Sequence, residues 1–378
     1  MATEDARYRL SSQYRLWSFS PPKLRDLREK TNSLARPHIT ARLAELKPAD
    51  PAPEFLTAEE ETVLLRFFTT ELIRAAIHCE LPTEIRATAA VFLKRFYVTN
   101  SLMTYPPMDL IKTCLFFGGK AEGYFARLSK LAEKLSDTTE EKILAGEFLL
   151  CQGIRFAFDV RHPFRGLEGA ILELRRHEDI EKPRIDAAHH QAREILKVSP
   201  LLTDAYFHYT PSQIMLAALS LADRELAERI INNAFAPTQR DGAGSHAETT
   251  AELSSTMSEM KEKVTTTIEA CRDMLATEPP ERMETYWGTP ESLKLVRPLL
   301  RKLRRCRDPD KADLVELQRA RREWAANESR EKDKNKKKTN AGFVLGEPIK
   351  PNEPPGTKRR KVAGAAAADD VFGGQLGK

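Results

Sequence analysis

The chain has 378 residues and a formal net charge of +5, from 60 basic and 55 acidic residues, and this near balance does not by itself indicate a nucleic-acid binder. Hydrophobic residues make up 41% of the chain, which is ample for a sizeable core in two or three domains. No N-terminal segment has the length and flanks of a signal peptide, and no run approaches the roughly 20 apolar residues of a membrane span, so we expect neither secretion nor membrane insertion.

The N-terminal segment is predicted to contain a helix. Ser20 precedes two prolines, an arrangement typical of an N-cap followed by the first helical turn. The spacing of Leu24, Leu27 and Leu34 predicts one apolar face on this helix. The proline-rich stretch 47–53 cannot continue it, because proline lacks an amide donor and biases the preceding residue toward extended geometry. We interpret that stretch as a linker.

The central part of the chain repeats one helical pattern after about a hundred residues. In each copy a proline opens an apolar-faced helix, and a second proline opens a shorter, almost wholly apolar helix. The opening residues are Pro82 and Pro106 in the first copy and Pro183 and Pro211 in the second. The predicted helices are 57–78, 82–99, 107–118, 122–135 and 139–156, followed by 163–177, 183–198, 211–221, 223–234 and 250–276. Two copies of one helical unit imply a duplicated domain.

Local signals mark the two ends of this helical region. Thr57 followed by Glu60 forms a capping box, in which each side chain satisfies an amide at the start of a helix. After the second copy, an apolar stripe predicts a long charged helix over 290–326, interrupted near Asp308. From about 328 onward, large apolar residues become too few to offset the entropy of ordering, so we expect a disordered tail.

Side chains with reactive chemistry form no recognisable catalytic site. The five cysteines are odd in number, widely spaced and set in apolar stretches, which is typical of reduced core residues in a reducing compartment. His189 and His190 have no second ligand pair at metal spacing, so we predict no metal site and no cofactor. Phosphate-binding loops, nucleophile elbows and kinase catalytic signatures are missing. From these motifs alone we expect no catalytic activity of the chain's own.

Three stretches resemble the cyclin H family, in its fungal form. Residues 92–106, FLKRFYVTNSLMTYP, resemble the second and third helices of a cyclin box. Residues 202–218, LTDAYFHYTPSQIMLAA, are similar to the matching part of that family's second box, and residues 11–20, SSQYRLWSFS, resemble its start. The resemblance covers roughly residues 8–330, with gaps near 236–250 and 276–290.

This resemblance implies an all-α fold, a duplicated five-helix cyclin box with additional N- and C-terminal helices. The implied domains are an N-terminal segment and helix at 1–54, a first cyclin box at 55–160, a second cyclin box at 161–278, a C-terminal helical region at 279–327 and a disordered basic tail at 328–378.

Lys120 and Glu147 are the two predicted kinase-binding residues. Each is a single charge in an apolar run and must face water or find a partner, because burying an unpaired charge costs several kcal/mol. In the cyclin family, the corresponding Lys and Glu bind backbone near the kinase's regulatory helix, which must swing inward before phosphoryl transfer. The alternative is a solvated Lys at a helix end and an exposed Glu. Gly118 and Gly119 depart from the family's alanine-rich pattern and are expected to loosen the helix end.

A basic and aromatic run at Lys94, Arg95, Phe96 and Tyr97 has the composition of a nucleic-acid patch. Its spacing, however, is that of one amphipathic helix. We therefore expect the two aromatic rings in the core and Lys94 and Arg95 on the helix's outer face.

Two segments carry candidate regulatory signals. Ser20 precedes a proline and is a candidate phosphorylation site, in addition to its predicted N-cap role, because a phosphate is stabilised at a helix N-terminus. A compact basic run has the form of a nuclear import signal, with a solvated charge run as the alternative. This run consists of Lys358, Arg359, Arg360 and Lys361. We expect a nuclear protein.

The resemblance also implies a function. It implies a regulatory subunit that binds and activates the cyclin-dependent kinase of transcription factor IIH, within a CDK-activating kinase module that phosphorylates the C-terminal repeats of RNA polymerase II. Implied partners are the kinase catalytic subunit, a RING-finger assembly subunit and, through the module, core transcription factor IIH; we expect no membrane contact and no sequence-specific nucleic-acid binding. The alternatives are another transcriptional cyclin and a factor IIB-like general transcription factor. The latter usually has a zinc ribbon, and no Cys pair has the spacing for one.

Overall fold

Helices form the regular structure of the protein. The computed structural model describes residues 4–46, 48, 53–124, 127–236, 247–285 and 289–341, and no strand occurs within these ranges, in agreement with the predicted all-α class. In this part of the chain, no helix combines the length and apolar character needed to cross a bilayer. The chain divides into two units, Met1–Leu317 and Gln318–Lys378.

Three helices precede the first repeat. They are α1 (Glu4–Leu10), α2 (Ser12–Trp17) and α3 (Pro21–Leu46). α3 begins directly after Ser20, whose carbonyl oxygen accepts a bond from the Leu24 N–H at 3.0 Å. Leu24 and Leu27 are buried, but Leu34 is 67% exposed, so the predicted apolar face is wrong at that position. The helix continues past its internal proline, and Ile39 supplies the buried contact instead.

The first helical bundle contains six helices. These are α4 (Ala58–His78), α5 (Thr83–Thr99), α6 (Pro107–Ala121), α7 (Leu128–Lys134), α8 (Glu140–Ala145) and α9 (Glu147–Gly153). The predicted capping box opens α4: the Thr57 N–H donates to the Glu60 carboxylate at 2.9 Å, and the Glu60 N–H donates to the Thr57 hydroxyl at 3.2 Å. The helix predicted over 139–156 is instead two short helices, which meet at Gly146.

The second helical bundle also contains six helices. These are α10 (Phe164–Leu174), α11 (Lys182–Leu202), α12 (Ala205–His208), α13 (Pro211–Ala222), α14 (Arg224–Ala234) and α15 (Ala247–Ala276). A capping box formed by Thr210 and Gln213 opens α13, which packs against α11 and α15. α11 continues past the predicted end at 198 to Leu202 and includes Pro200 in its last turn.

The C-terminal region contains α16 (Arg282–Thr285), α17 (Pro290–Arg305), a 3-10 turn (Pro309–Lys311) and α18 (Leu314–Ala341). α17 packs on α4, and the predicted interruption near Asp308 is confirmed. In the second unit the helix continues to Ala341, so the disorder predicted from 328 does not begin there. The stretch 328–341 is rich in Lys and Glu, which are good helix formers. Residues 342–378 lie outside the described part of the chain.

α5 lies at the centre of the first unit. It packs against α3, α4, α6, α9 and α11, and every residue from Ala87 to Val98 is buried. Lys94 and Arg95 are only 5% and 1% exposed, so the prediction that they form an outer face is wrong. The helix has no outer face over this stretch, because α3 and the second bundle cover the side that the amphipathic pattern assigns to solvent.

Lys94 is stabilised by an acidic partner that comes from the second bundle. Its Nζ donates to the Thr203 carbonyl and lies 3.6 Å from the Asp204 carboxylate, which also accepts two bonds from Arg28 of α3 at 2.7 and 2.8 Å. Burial lowers the pKa of Lys94 to about 8, despite the opposing effect of Asp204. Burial also disfavours the Asp204 carboxylate, but the two cations hold its pKa below the usual range. This cluster joins α3, α5 and the second bundle.

Arg95 and His162 connect α5 to the segment between the bundles. Arg95 Nη1 donates to the Ala157 carbonyl at 2.9 Å, and burial lowers the pKa of Arg95 to about 10. His162 lies 2.7 Å from the Thr88 hydroxyl through Nε2 and 2.8 Å from the Tyr206 hydroxyl through Nδ1. Burial, followed by the charge of Arg95, lowers the pKa of His162 to about 3, so this histidine is neutral at physiological pH.

All five cysteines are buried free thiols, as predicted. They are distributed over both bundles and the C-terminal region, at Cys79, Cys114, Cys151, Cys271 and Cys306. Burial raises the pKa of each thiol, to about 12 for Cys271.

Candidate functional site

Lys120 and Glu147, predicted separately from two apolar runs, form an ion pair with each other. Lys120 lies in the last turn of α6 and Glu147 is the first residue of α9, and Nζ and Oε1 are 2.5 Å apart. Both side chains remain accessible, at 43% and 27% exposed. The structure therefore brings the two predicted residues to one surface, where the ends of α6 and α9 meet.

The end of α6 is held in place by its glycines rather than loosened by them. A Cβ on Gly118 would lie 3.1 Å from the Ala89 Cβ and 3.2 Å from the Ile85 carbonyl oxygen, so the missing side chain lets α6 approach α5 closely. α6 stays helical to Ala121, past Lys120. The expected loosening of this helix end is therefore not found.

The start of α9 is defined by the turn at Gly146. A Cβ at this position would lie 2.6 Å from the Thr113 hydroxyl of α6, and that hydroxyl donates to the Ile143 carbonyl at 2.8 Å. A larger residue would displace this contact. Gly146 therefore keeps the α8–α9 corner against α6 and brings Glu147 within reach of Lys120.

Each charge of the pair also has a favourable local environment. Glu147 is at the N-terminal end of a helix and Lys120 at the C-terminal end of another, the positions where an acid and a base complement the helix dipole. Lys120 Nζ also lies 4.7 Å from the centroid of the Phe116 ring. These contacts preorganise both side chains while leaving hydrogen-bonding capacity for a further partner.

Three exposed aromatic residues extend this surface. Phe148 follows Glu147, and Phe156 and Phe158 lie in the segment after α9, all with rings exposed to solvent. Phe158 contacts Phe117 of α6 edge-on, with centroids 5.2 Å apart, and Phe156 contacts Phe158 at 6.1 Å. Exposed large apolar groups are typical of protein interaction sites. We refer to Lys120, Glu147 and these three aromatic residues as the α6–α9 surface.

The backbone after α9 helps to present one of these rings. Arg155 and Phe156 have φ angles of 55° and 53°, in the left-handed region that few residues other than glycine adopt. The Phe156 N–H donates to the Cys151 carbonyl at 2.8 Å, which closes the end of α9. Sequence reasoning did not select the three aromatic residues, although an aromatic residue directly after Glu147 was a usable signal.

The structure adds less about the other predicted sites, which are the phosphorylation site, the import signal and the histidines. Ser20 is exposed at the start of α3, next to Phe19, whose N–H donates to the Phe207 carbonyl at 2.8 Å. The predicted import signal at 358–361 lies outside the described residues. Within the described ranges, no group of three metal-binding side chains comes together, and His189 contacts Glu168 at 3.1 Å.

Two curated relatives match most of the helical region. "Cyclin CCL1" of Saccharomyces cerevisiae is 31% identical over 246 residues, which cover 62% of this chain and 62% of CCL1. "Cyclin mcs2" of Schizosaccharomyces pombe is 31% identical over 221 residues, which cover 56% of this chain and 68% of mcs2. The matched part thus spans a little under two thirds of CCL1 and slightly more than two thirds of mcs2.

Solved structures and a family model agree with these relatives. A chain from the CAK complex of Chaetomium thermophilum bound to ATP-gamma-S has a TM-score of 0.76 and 55% identity, covering 86% of this chain and 96% of that chain. A chain of the yeast TFIIK complex (Kin28/Ccl1/Tfb3) has a TM-score of 0.55 and 27% identity, covering 71% of this chain and all of that chain. The cyclin C-terminal domain model matches residues 162–276. The resemblance found in the sequence is thereby confirmed, and the chain belongs to the cyclin family.

Proposed function

We propose that this cyclin is the regulatory subunit of a CDK-activating kinase and that it binds and activates the cyclin-dependent kinase of transcription factor IIH. The observation that carries the proposal is the α6–α9 surface, where an accessible Lys and an accessible Glu lie beside exposed aromatic rings. The similarity of the whole chain to chains of the CAK and TFIIK complexes supports this choice of kinase.

The α6–α9 surface has the chemistry needed to hold the regulatory helix of a kinase. Lys120 donates to backbone carbonyls and Glu147 accepts from backbone N–H groups, so the pair can bind both kinds of free group at helix ends. The aromatic rings supply apolar area that loses water on binding. Because these contacts favour the inward position of the regulatory helix, the cyclin shifts the kinase toward its active state.

The catalytic step itself belongs to the kinase in this proposal. The cyclin contributes binding energy, and the kinase subunit phosphorylates the C-terminal repeats of RNA polymerase II. Purified cyclin alone, incubated with ATP and a polymerase-repeat peptide, should give no phosphate transfer. Activity that persists after stringent removal of any kinase would contradict the regulatory role.

Further partners and the nuclear location follow from the same proposal. The TFIIK complex contains three named proteins, which supports a third subunit, and we assign that place to the RING-finger assembly subunit. The module would join core transcription factor IIH in the nucleus. The basic run at 358–361 would serve import, and Ser20 would be accessible to a proline-directed kinase. Affinity purification followed by identification of the bound kinase separates this proposal from that of another transcriptional cyclin.

Substitutions in the α6–α9 surface test its role directly. Lys120→Ala and Glu147→Ala should each weaken kinase binding by about tenfold or more, because losing one partner of a desolvated charge contact typically costs about 2–5 kcal/mol. Binding is measured by titrating the purified kinase onto immobilised cyclin, and circular dichroism should change little. Phe156→Ser should also weaken binding, through loss of apolar contact.

The ion pair of Arg175 with Asp186 is a matched surface control for this test, since its atoms are 2.7 Å apart and both side chains are about half exposed. Arg175→Ala and Asp186→Ala should change kinase affinity less than about twofold, as exposed pairs contribute little. If Lys120→Ala and Glu147→Ala bind and activate like wild type, the kinase surface lies elsewhere, although the cyclin fold stands.

A further inference from the structure

A groove of about 1170 Å³ lies between the end of α3, residues 53–60 at the start of α4, and α17 with its following turn. It shares no residue with the α6–α9 surface. It is therefore a separate surface from the one proposed to bind the kinase.

Positive charge on one side of the groove is uncompensated. Arg301, Arg304 and Arg305 of α17 are exposed and line the groove, and none of them forms an ion pair within the described ranges. Arg307 lines it as well, and its buried Nε has no hydrogen-bond partner. Because guanidinium groups stay charged and offer paired N–H donors, four of them along one groove attract carboxylates.

The acidic side chains of the groove do not neutralise these arginines, because they already have partners. Glu54 and Glu60 lie 2.6 and 2.9 Å from Lys302. Asp308 is buried, 3.4 Å from His38 and 3.5 Å from Lys311. The groove is therefore divided, with free guanidinium groups along α17 and, near the start of α4, two glutamates around one lysine, a cluster that keeps one net negative charge.

The remaining lining is apolar. Leu43 and Leu46 of α3, Leu299 of α17 and Pro309 of the 3-10 turn all line the groove, and Leu46 is half exposed. Helix-end electrostatics explain part of the basic character, since Arg304 and Arg305 lie in the last turn of α17. They do not explain Arg301, one turn earlier, or the apolar lining.

We propose that this groove binds an acidic segment of a partner protein that carries a large apolar side chain. The acidic residues of the segment pair with Arg301, Arg304 and Arg305, and its apolar side chain packs on the leucines. A nucleic acid fits less well, because its phosphates follow one another at every nucleotide and some of them would meet the carboxylates of Glu54 and Glu60. A peptide can place its acidic residues against the arginines of α17 and leave uncharged residues beside Glu54 and Glu60.

The test selects peptides without assuming a partner. A phage library of random twelve-residue peptides is panned against the purified full chain, with counter-selection on the Arg301→Glu/Arg304→Glu/Arg305→Glu variant. Enriched sequences should combine several Asp or Glu residues with Leu, Phe or Trp. Fluorescein-labelled versions should bind the triple variant at least about tenfold more weakly, and replacing their apolar residue with Ser should weaken binding to a similar degree.

A matched variant controls for net charge. Arg165→Glu/Arg176→Glu/Lys182→Glu changes three exposed cations of the second bundle and should keep peptide affinity within about twofold. If charge reversal on α17 lowers the melting temperature, the corresponding three Arg→Gln substitutions replace it. The proposal is overturned if no acidic peptides are enriched, or if the triple variant binds them normally. It is also overturned if a twelve-nucleotide single strand competes as well as the peptide while the Ser replacement has no effect, which would indicate a general polyanion surface.

Discussion

The middle helices of the two bundles, α5 and α11, come from the same repeated pattern but differ in burial. In α5, every residue from Ala87 to Val98 is buried, including two cations. In α11, buried positions such as Ile185 and Ala188 alternate with exposed ones, and Arg184 pairs with Asp223 at the surface. α5 is covered by α3 and by the second bundle in addition to its own bundle. The surroundings of a helix, rather than its own pattern, decide which charges must find partners inside the protein.

The largest expected effect concerns the carboxylate that stabilises the buried cation of α5. Asp204→Ala should lower the free energy of unfolding by about 3 kcal/mol, because Lys94 and Arg28 lose their shared partner. Asp186→Ala, which breaks an exposed pair at α11, should cost at most about 1 kcal/mol. Urea unfolding of both variants measures the difference. If both variants lost the same free energy of unfolding, the buried charges of α5 would matter no more for stability than the exposed charges of α11.

The pH dependence of stability tests whether the charge of Asp204 stabilises the buried cation of α5. The pKa of Asp204 is lower in the folded protein than its ordinary value of 3.8, so its contribution is present above about pH 4 and is lost as the pH falls further. The difference in unfolding free energy between wild type and Asp204→Asn should therefore be full at pH 7 and shrink below pH 4. Urea titrations at several pH values provide the measurement. A difference that stays constant down to pH 3 would show that the Asp204 charge does not stabilise Lys94.

A smaller effect is expected where α6 meets α5. Gly118→Ala should lower the free energy of unfolding by about 1–2 kcal/mol, because the added methyl group would press on buried Ala89 and on the Ile85 backbone. Gly169→Ala, in α10 of the second bundle, meets no atom within 4 Å and should instead stabilise the protein by about 0.5–1 kcal/mol. Thermal unfolding compares the two. If Gly118→Ala also raised the free energy of unfolding, the packing between α5 and α6 would be able to relax around the added methyl group.

The sequence predicted features that depend on a few neighbouring residues. The capping box of Thr57 and Glu60 is confirmed, and so is the interruption near Asp308. Lys94 and Arg95 were misplaced because the amphipathic pattern of α5 carries no information about a third covering layer. Leu34 was misplaced for a related reason, since a leucine at helical spacing is buried only where another element lies against it.

The candidate site was predictable in part. The positions of Lys120 and Glu147 at helix ends followed from apolar runs and from family resemblance. Their mutual contact did not, because it depends on how α6 and α9 meet at the Gly146 corner. The left-handed turn that presents Phe156 was also inaccessible to pattern reasoning, as neither Arg155 nor Phe156 is a residue type that favours such a conformation.

The buried thiols allow local unfolding of the protein to be measured by cysteine alkylation. Only a thiolate reacts rapidly with an alkylating reagent, and burial keeps each cysteine both protonated and shielded in the native state. Labelling at one position therefore requires that its own surroundings open first. Cys114 and Cys151 would report on the helices that carry the α6–α9 surface, Cys271 on the second bundle and Cys306 on the end of α17 beside the arginine groove. A single labelling time course read by mass spectrometry would rank the opening of these regions in the unmodified chain.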